Sequence, residues 1–285
     1  MLPTSCESAL NKLDISVNVI KEQDFSFSNV ILGQGAQGIV VKGKYLGSDV
    51  AIKSIPIIKE KVKYLLREIA LLDKIRHPNI ISVMAVCSTD TKCHIIMEFF
   101  KSHSLQDIIF NKDKGINFIM DLTMKRKIAL QLSYAVAYLH LQPQPIIHRD
   151  IKPANILINE HSLTKLCDLG LGKSNSFCDS LDSTYHGRWR GTLPYMAPEI
   201  LLDNENANES SDIWSLACTF IELFSEQKVW NVHNVSGMIK ILNDKETPRV
   251  ECMPQDMRVL IRQCFSYNKS NRPTIRNFLS LLEKK

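Results

Sequence analysis
A chain of 285 residues that is 45% hydrophobic can bury a sizeable core, as one large domain or as two lobes. Its formal charge of +5 is modest and its Lys and Arg are scattered, not striped among aromatics, so nucleic acid is not expected as a partner. No CxxC pair occurs among the eight cysteines, which excludes the usual zinc and redox motifs, and no apolar run approaches the roughly 20 residues of a membrane span. Residues 1–11 lack the apolar core of a signal peptide, and thiols set in apolar runs suit a reducing compartment, so a cytoplasmic protein without membrane insertion is expected.

Residues 1–24 are polar and weakly patterned, which predicts a flexible lead-in. From Phe25 the residues alternate and become β-branched. The runs 25–32, 39–45 and 49–55 predict successive antiparallel strands. Between the first two lies Gly33-Gln34-Gly35-Ala36-Gln37-Gly38. That spacing also occurs in dinucleotide-binding turns, where the third glycine opens a helix. Here Ile39-Val40-Val41 follows, a poor helix start and a good strand. The reading favoured is a glycine-rich hairpin whose backbone N–H groups lie close over phosphates.

Lys53 ends an apolar strand, which predicts an ammonium placed in a cleft. In 60–75 the apolar residues Val62, Leu65, Leu66, Ile69 and Leu72 form a helical stripe, with Glu68 among them. Glu68 reads either as a solvated helix charge or as the partner of Lys53. Strands follow near 80–87 and 94–99, then helices over Leu105–Phe110 and 122–141. The change of period sets a lobe boundary near 98–104, giving an α+β domain over 25–284 with an N-lobe of about 25–100 and a helical C-lobe of about 101–284.

The stretch His148-Arg149-Asp150-Ile151-Lys152-Pro153-Ala154-Asn155 lies between the apolar runs 145–147 and 156–158, which predicts a loop held by a rigid frame. Its residue types suit phosphoryl transfer. Asp150 can orient a hydroxyl and accept its proton, Lys152 can neutralise charge on the phosphate in flight, and Asn155 can hold a metal ion. A short strand at 163–167 leads from Cys167 into Asp168-Leu169-Gly170. Residues 173–190 are rich in Ser and Thr and predict a mobile segment, closed by Gly191-Thr192-Leu193-Pro194-Tyr195-Met196-Ala197-Pro198-Glu199. The run 212–221 is apolar nearly all round, so a buried helix is expected, with later helices near 235–242, 254–265 and 273–282. Arg272 is the expected ion-pair partner of Glu199.

With these motifs in this order and spacing, the chain resembles the eukaryotic protein-kinase family over residues 25–284. The resemblance implies ATP and Mg²⁺ as cofactors. Adenine would bond to backbone at Glu98 and Phe100, with Met97 behind it and Val40, Ala51 and Leu157 sandwiching the ring. Leu32, Gly33, Gln34, Gly35, Ala36, Gln37, Gly38 and Ile39 would cover the nucleotide. Lys53, positioned by Glu68, would hold the α- and β-phosphates, Asp168 and Asn155 would take magnesium, and Asp212 would brace the catalytic loop. Leu169 stands where phenylalanine is usual.

Lys152 together with Thr192 looks like a serine/threonine kinase. Trp214-Ser215 is similar to the tyrosine-kinase-like branch, and the runs 95–99 and 152–158 resemble the Mos kinases, which implies a MAP kinase kinase kinase of maturing oocytes with a MAP kinase kinase as protein substrate. Separately, Arg149 and Lys173 read either as a clamp for a phosphate on Ser180, Ser183 or Thr184, or as two solvated bases beside unmodified serines. Two other classes compete with this reading. A pseudokinase scaffold usually lacks Lys53, Asp150 or Asp168, and all three are present. A dinucleotide-dependent oxidoreductase needs an early βαβ unit, which the strand-rich beginning contradicts.

Overall fold
The structure, a computed structural model, describes residues 10, 14–35, 38–58, 60, 62–111, 115–116, 118–169, 193–232 and 234–284. Two compact units divide the chain, Met1–Lys101 and Ser102–Lys285. The first carries β1 (Asn18–Val19), β2 (Phe25–Gly35), β3 (Gly38–Tyr45), β4 (Ser48–Pro56), α1 (Val62–Leu72), β5 (Val83–Ser88) and β6 (Lys92–Glu98). The second carries β7 (His103–Ser104), α2 (Leu105–Phe110), α3 (Leu122–His140), β8 (Ile156–Ile158), β9 (Thr164–Leu166), α4 (Pro198–Leu201), α5 (Glu209–Ser225), α6 (Val235–Asn243), α7 (Arg258–Cys264) and α8 (Ile275–Leu282).

The first unit is a six-stranded sheet in the order β1-β5-β6-β4-β3-β2. Period-2 alternation gives it two apolar faces. Phe25, Tyr45, Val50, Ile52, Ala85, Cys87 and Ile96 fill one. Val83, Val86, Cys93 and Ile95 fill the other, and there Leu65 and Ile69 of α1 pack against them. Burying each of those two side chains contributes about 1.5–3 kcal/mol, which fixes the helix on that face. Helix α1 closes with tightened turns, Lys74 N–H donating to Leu71 O at 3.1 Å and Ile75 N–H to Leu72 O at 3.2 Å. In β3, Gly43 is demanded by packing: a Cβ there would lie 2.3 Å from Ile52 Cδ1 and 2.4 Å from the Ser26 carbonyl oxygen.

The flexible lead-in expected over 1–24 is corrected by the described residues of that stretch. Leu10 is fully buried in the α1 cluster and Val17 packs beside it. Strand β1 pairs in parallel with β5, Asn18 opposite Ala85 and Val19 opposite Val86. Its pattern is two residues long, too short for periodicity to signal, and its energy comes from distant partners.

The second unit is built around α5, whose residues Ser211–Phe224 are all buried. The helix starts at Asn208, whose side-chain oxygen accepts the Ser211 N–H at 3.1 Å, and stops at Glu226, which turns left-handed at φ 54°. Trp214 sits at its core, edge-on to Phe265 at 5.1 Å and beneath the Arg272 guanidinium at 5.0 Å. Beside it, β7, β8 and β9 form a small antiparallel sheet that carries the loop described next. No helix among the described residues is long and apolar enough to cross a membrane.

Candidate active site
The loop at 148–155 is held from several sides. Pro153 opens a single 3₁₀ turn over Pro153–Asn155, where its missing N–H costs nothing, and the chain then enters β8. Asp150 is 4% exposed, and a carboxylate this deep requires partners. Lys152 Nζ donates to Asp150 Oδ2 at 2.8 Å, and Asn155 Nδ2 donates to the same oxygen at 2.9 Å and to the Asp150 carbonyl at 2.8 Å. Because its amide nitrogen is held by Asp150, Asn155 presents Oδ1 in another direction, an oxygen donor of the hard kind that magnesium takes.

Asp212 at the start of α5 fixes the backbone below. Its Oδ2 accepts the His148 N–H at 2.7 Å and its Oδ1 accepts the Arg149 N–H at 2.9 Å. His140, the last residue of α3, donates from Nε2 to Oδ2 at 2.9 Å. Burial drives the His148 pKa down, so the ring is neutral and its two nitrogens play different parts. Nδ1 accepts the Asp150 N–H at 3.3 Å, which leaves the proton on Nε2 to donate to the Cys167 carbonyl at 3.2 Å. Cys167 N–H in turn donates to the Asn155 carbonyl at 2.9 Å. These bonds tie the residue before Asp168 to the loop. Asp168 itself is half-buried and adopts φ 58°, a conformation uncommon for any residue but glycine. Leu169 is 5% exposed, an apolar anchor at the position after it.

In the first unit, Lys53 is 8% exposed in the middle of β4. It lies opposite Ile95 across the β4–β6 ladder, and Ala51 lies opposite Met97. Directly paired residues share a face. Lys53 therefore belongs to the face that α1 covers, and Glu68 is half-buried on that helix, one turn from Leu65 and beside Ile69. The glycine run is a strand-to-strand hairpin: Gly33 pairs with Val40, Gln34 with Ile39 and Gly35 with Gly38. Gly38 stands at φ 135°, and a Cβ on it would meet the Ser54 carbonyl oxygen at 2.3 Å, whereas one on Gly33 would meet nothing within 4 Å. At Gly33 the backbone is bare on its open side, the property that a cradle for phosphates would need. Leu32 and Ile39 are exposed on this hairpin and Val40 is half-buried. Glu98 donates its N–H to the Ser82 carbonyl at 3.0 Å and accepts the Ser82 N–H on its side chain at 2.8 Å, which fixes the segment leading to the half-buried Phe100. Leu157 is half-buried in β8. Ala36, Gln37, Gly170, Lys173, Ser180, Ser183, Thr184, Thr192 and the segment 173–190 lie outside the described residues.

The expected Glu199–Arg272 pair is present, buried and bidentate, with two N–H donors reaching the two carboxylate oxygens at 2.7 Å each. Sequence reasoning missed a second buried acid. Glu222 accepts the Tyr195 hydroxyl at 2.8 Å and the Val229 N–H at 3.0 Å, and burial raises its pKa. Its signal was available, since a carboxylate inside a helix that is apolar all round must have a buried partner. His140, a polar residue inside an apolar run of α3, carried the same signal.

The family description that matches the chain is the protein kinase domain, over residues 27–281. Among curated relatives, the putative mitogen-activated protein kinase kinase kinase 7-like of Drosophila melanogaster is 30% identical over 93% of this chain and 68% of its own length. Serine/threonine-protein kinase CTR1 of Arabidopsis thaliana is 30% identical over 88% of the chain and 30% of its own length. Mitogen-activated protein kinase kinase kinase 12 of Rattus norvegicus is 32% identical over 88% of the chain and 26% of its length. The chain thus spans about two thirds of the first of these relatives and about a third or less of the other two. With the loop geometry above and a family match over most of its length, the chain belongs to the protein kinase family.

Proposed function
We propose that the chain transfers the γ-phosphoryl group of ATP to serine or threonine hydroxyls of a protein substrate, and that it acts as a MAP kinase kinase kinase. The observation that carries this reading is the Asp150 carboxylate, buried and gripped by Lys152 and Asn155 on a loop braced by Asp212. In that role Asp150 accepts the proton of the attacking hydroxyl, and Lys152 balances charge on the transferring group. The donor set suits magnesium, with the Asp168 carboxylate and Asn155 Oδ1 as oxygen ligands; magnesium, when bound, supplies charge neutralisation at the phosphates. Lys53, positioned by Glu68, serves the α- and β-phosphates, and the hairpin from Leu32 to Val40 covers them with backbone N–H groups. Because the Glu98 N–H is held by Ser82, the Glu98 backbone group suited to adenine is its carbonyl, with the Phe100 N–H beside it. Met97, Val40 and Ala51 supply apolar walls for the ring. Thr192 with Lys152 supports Ser/Thr specificity.

A place at the third tier of a MAP kinase cascade is supported by relatives that bear that name. The narrower reading, a Mos-type kinase of maturing oocytes, rests on the runs 95–99 and 152–158. Incubation with labelled ATP, magnesium and a catalytically dead MAP kinase kinase tests the cascade position: label on its activation segment is expected. Label on a generic protein substrate but none on the MAP kinase kinase removes the cascade position and leaves the kinase reading standing.

A further inference from the structure
The carboxylate of Asp73 sits in an unfavourable place. It follows Leu72 at the C-terminal end of α1, its own N–H donating to the Ile69 carbonyl at 2.9 Å, and the partial negative charge of a helix C-terminus disfavours an anion there. It is also 6% exposed. Both costs are offset by one set of partners, the chain near the N-terminus. Ser16 N–H donates to Asp73 Oδ2, and Ser16 Oγ and Val17 N–H donate to Oδ1, each at 2.8 Å. Arg76 adds a distant charge at 3.8 Å. Three short bonds to an ionised acceptor, 56 and 57 residues apart in sequence, make a pin.

The pin fastens a strap. Beyond it, β1 pairs with β5, Ile20 N–H donates to the Val86 carbonyl at 2.9 Å, and Asn18 Nδ2 reaches the Tyr45 hydroxyl at 3.4 Å. Before and within it, Leu10, Ile15, Val17 and Val19 join the same apolar cluster as Val62, Leu65, Leu66, Ile69 and Leu72 of α1. The helix that carries Glu68 is therefore held against the sheet by the strap along one apolar stripe and by Asp73 at one end. We infer that residues 14–20, pinned through Ser16 and Val17 to Asp73, position α1 so that Glu68 can hold Lys53. This rests on the Lys53–Glu68 reading given above. Asp73 is thus a positioning residue that acts through α1. Ser16 is exposed, so a negative charge placed on it meets the Asp73 carboxylate and opens the pin from outside.

Steady-state kinetics on the full chain, well below its melting temperature, test this with four variants. Asp73→Ala removes the acceptor, Ser16→Glu sets a second carboxylate against it, Asp73→Asn keeps one acceptor oxygen, and Glu68→Gln breaks the step downstream. Loosening α1 weakens the grip of Lys53 on the phosphates. Asp73→Ala and Ser16→Glu are expected to raise KM for ATP about fivefold or more with KM for the protein substrate unchanged, and Asp73→Asn to do so less. In the Glu68→Gln background, Asp73→Ala is expected to add less than about a further twofold, because both act through the same contact. A raised KM for ATP in Glu68→Gln with wild-type values in Asp73→Ala and Ser16→Glu, whatever their melting temperatures, overturns the strap and spares Lys53–Glu68. Full multiplication of the two effects also overturns it. A wild-type KM for ATP in Glu68→Gln overturns the Lys53–Glu68 reading, and the inference with it.

Discussion

Arg149 stands at φ 67°, and the carboxylate of Asp212, 63 residues later, accepts its backbone N–H at 2.9 Å. A left-handed conformation costs a non-glycine residue on the order of 1–2 kcal/mol, so the loop needs an outside partner to stay in it. Asp212 supplies one for Arg149 and a second for His148. Replacing it with alanine leaves two backbone donors and His140 without their acceptor. Asp212→Ala is expected to lower stability by about 3 kcal/mol in denaturant melts and kcat by at least roughly tenfold at temperatures where the variant is still folded. Asp212→Asn, which keeps one acceptor oxygen, should fall between. Wild-type kcat in a folded Asp212→Ala would mean that the loop holds itself.

The glycines of the first unit should behave differently from one another. Gly33→Ala meets nothing within 4 Å, so its melting midpoint should stay near that of the wild type. Gly43→Ala drives a Cβ to within 2.4 Å of the Ser26 carbonyl oxygen, which is backbone and cannot step aside. A loss of about 1–3 kcal/mol is expected, the usual cost of overpacking. Equal melting curves for the two variants would contradict the packing described.

Glu222 should give the stability curve an unusual slope. Burial raises its pKa above the ordinary carboxylate value near 4.5, so the folded chain keeps the proton longer than the unfolded one does. Above about pH 4.5 the unfolded state releases that proton first, and stability is lost as pH rises toward the folded pKa. Glu222→Gln removes the titration while keeping an oxygen for the Val229 N–H and an amide for Tyr195. Denaturant melts from pH 4.5 to 8 should show this downward contribution in the wild type and not in the variant. Identical pH dependence in both would show that Glu222 titrates as an ordinary carboxylate.

What the sequence disclosed and what it hid differ in kind. The Glu199–Arg272 ion pair and the loop that carries Asp150, Lys152 and Asn155 were legible because their residue types stand at a fixed spacing in a recurring motif order. The hairpin at Gly33–Gly38 was legible from the β-branched run after it. Strand β1 and the Asp73 pin were not. Two residues of strand carry no period, and an aspartate after Leu72 looks like an ordinary solvated charge until Ser16 and Val17 fold back on it. Gly43 was silent for the same reason, since only the neighbouring strands reveal why a side chain cannot fit. Long-range partners of short segments leave no local pattern to read.

Asp150 is proposed to carry phosphoryl transfer to serine or threonine hydroxyls. Labelled ATP and magnesium, a protein substrate, and phosphoamino-acid analysis of the product test it most directly, run side by side with wild type and Asp150→Asn. The variant keeps an acceptor oxygen for Lys152 and loses the carboxylate that takes the proton. Label on phosphoserine or phosphothreonine is expected from the wild type, falling by about 10²–10⁴-fold in a variant that melts like the wild type. Label mainly on phosphotyrosine, or a variant as fast as the wild type, would contradict it.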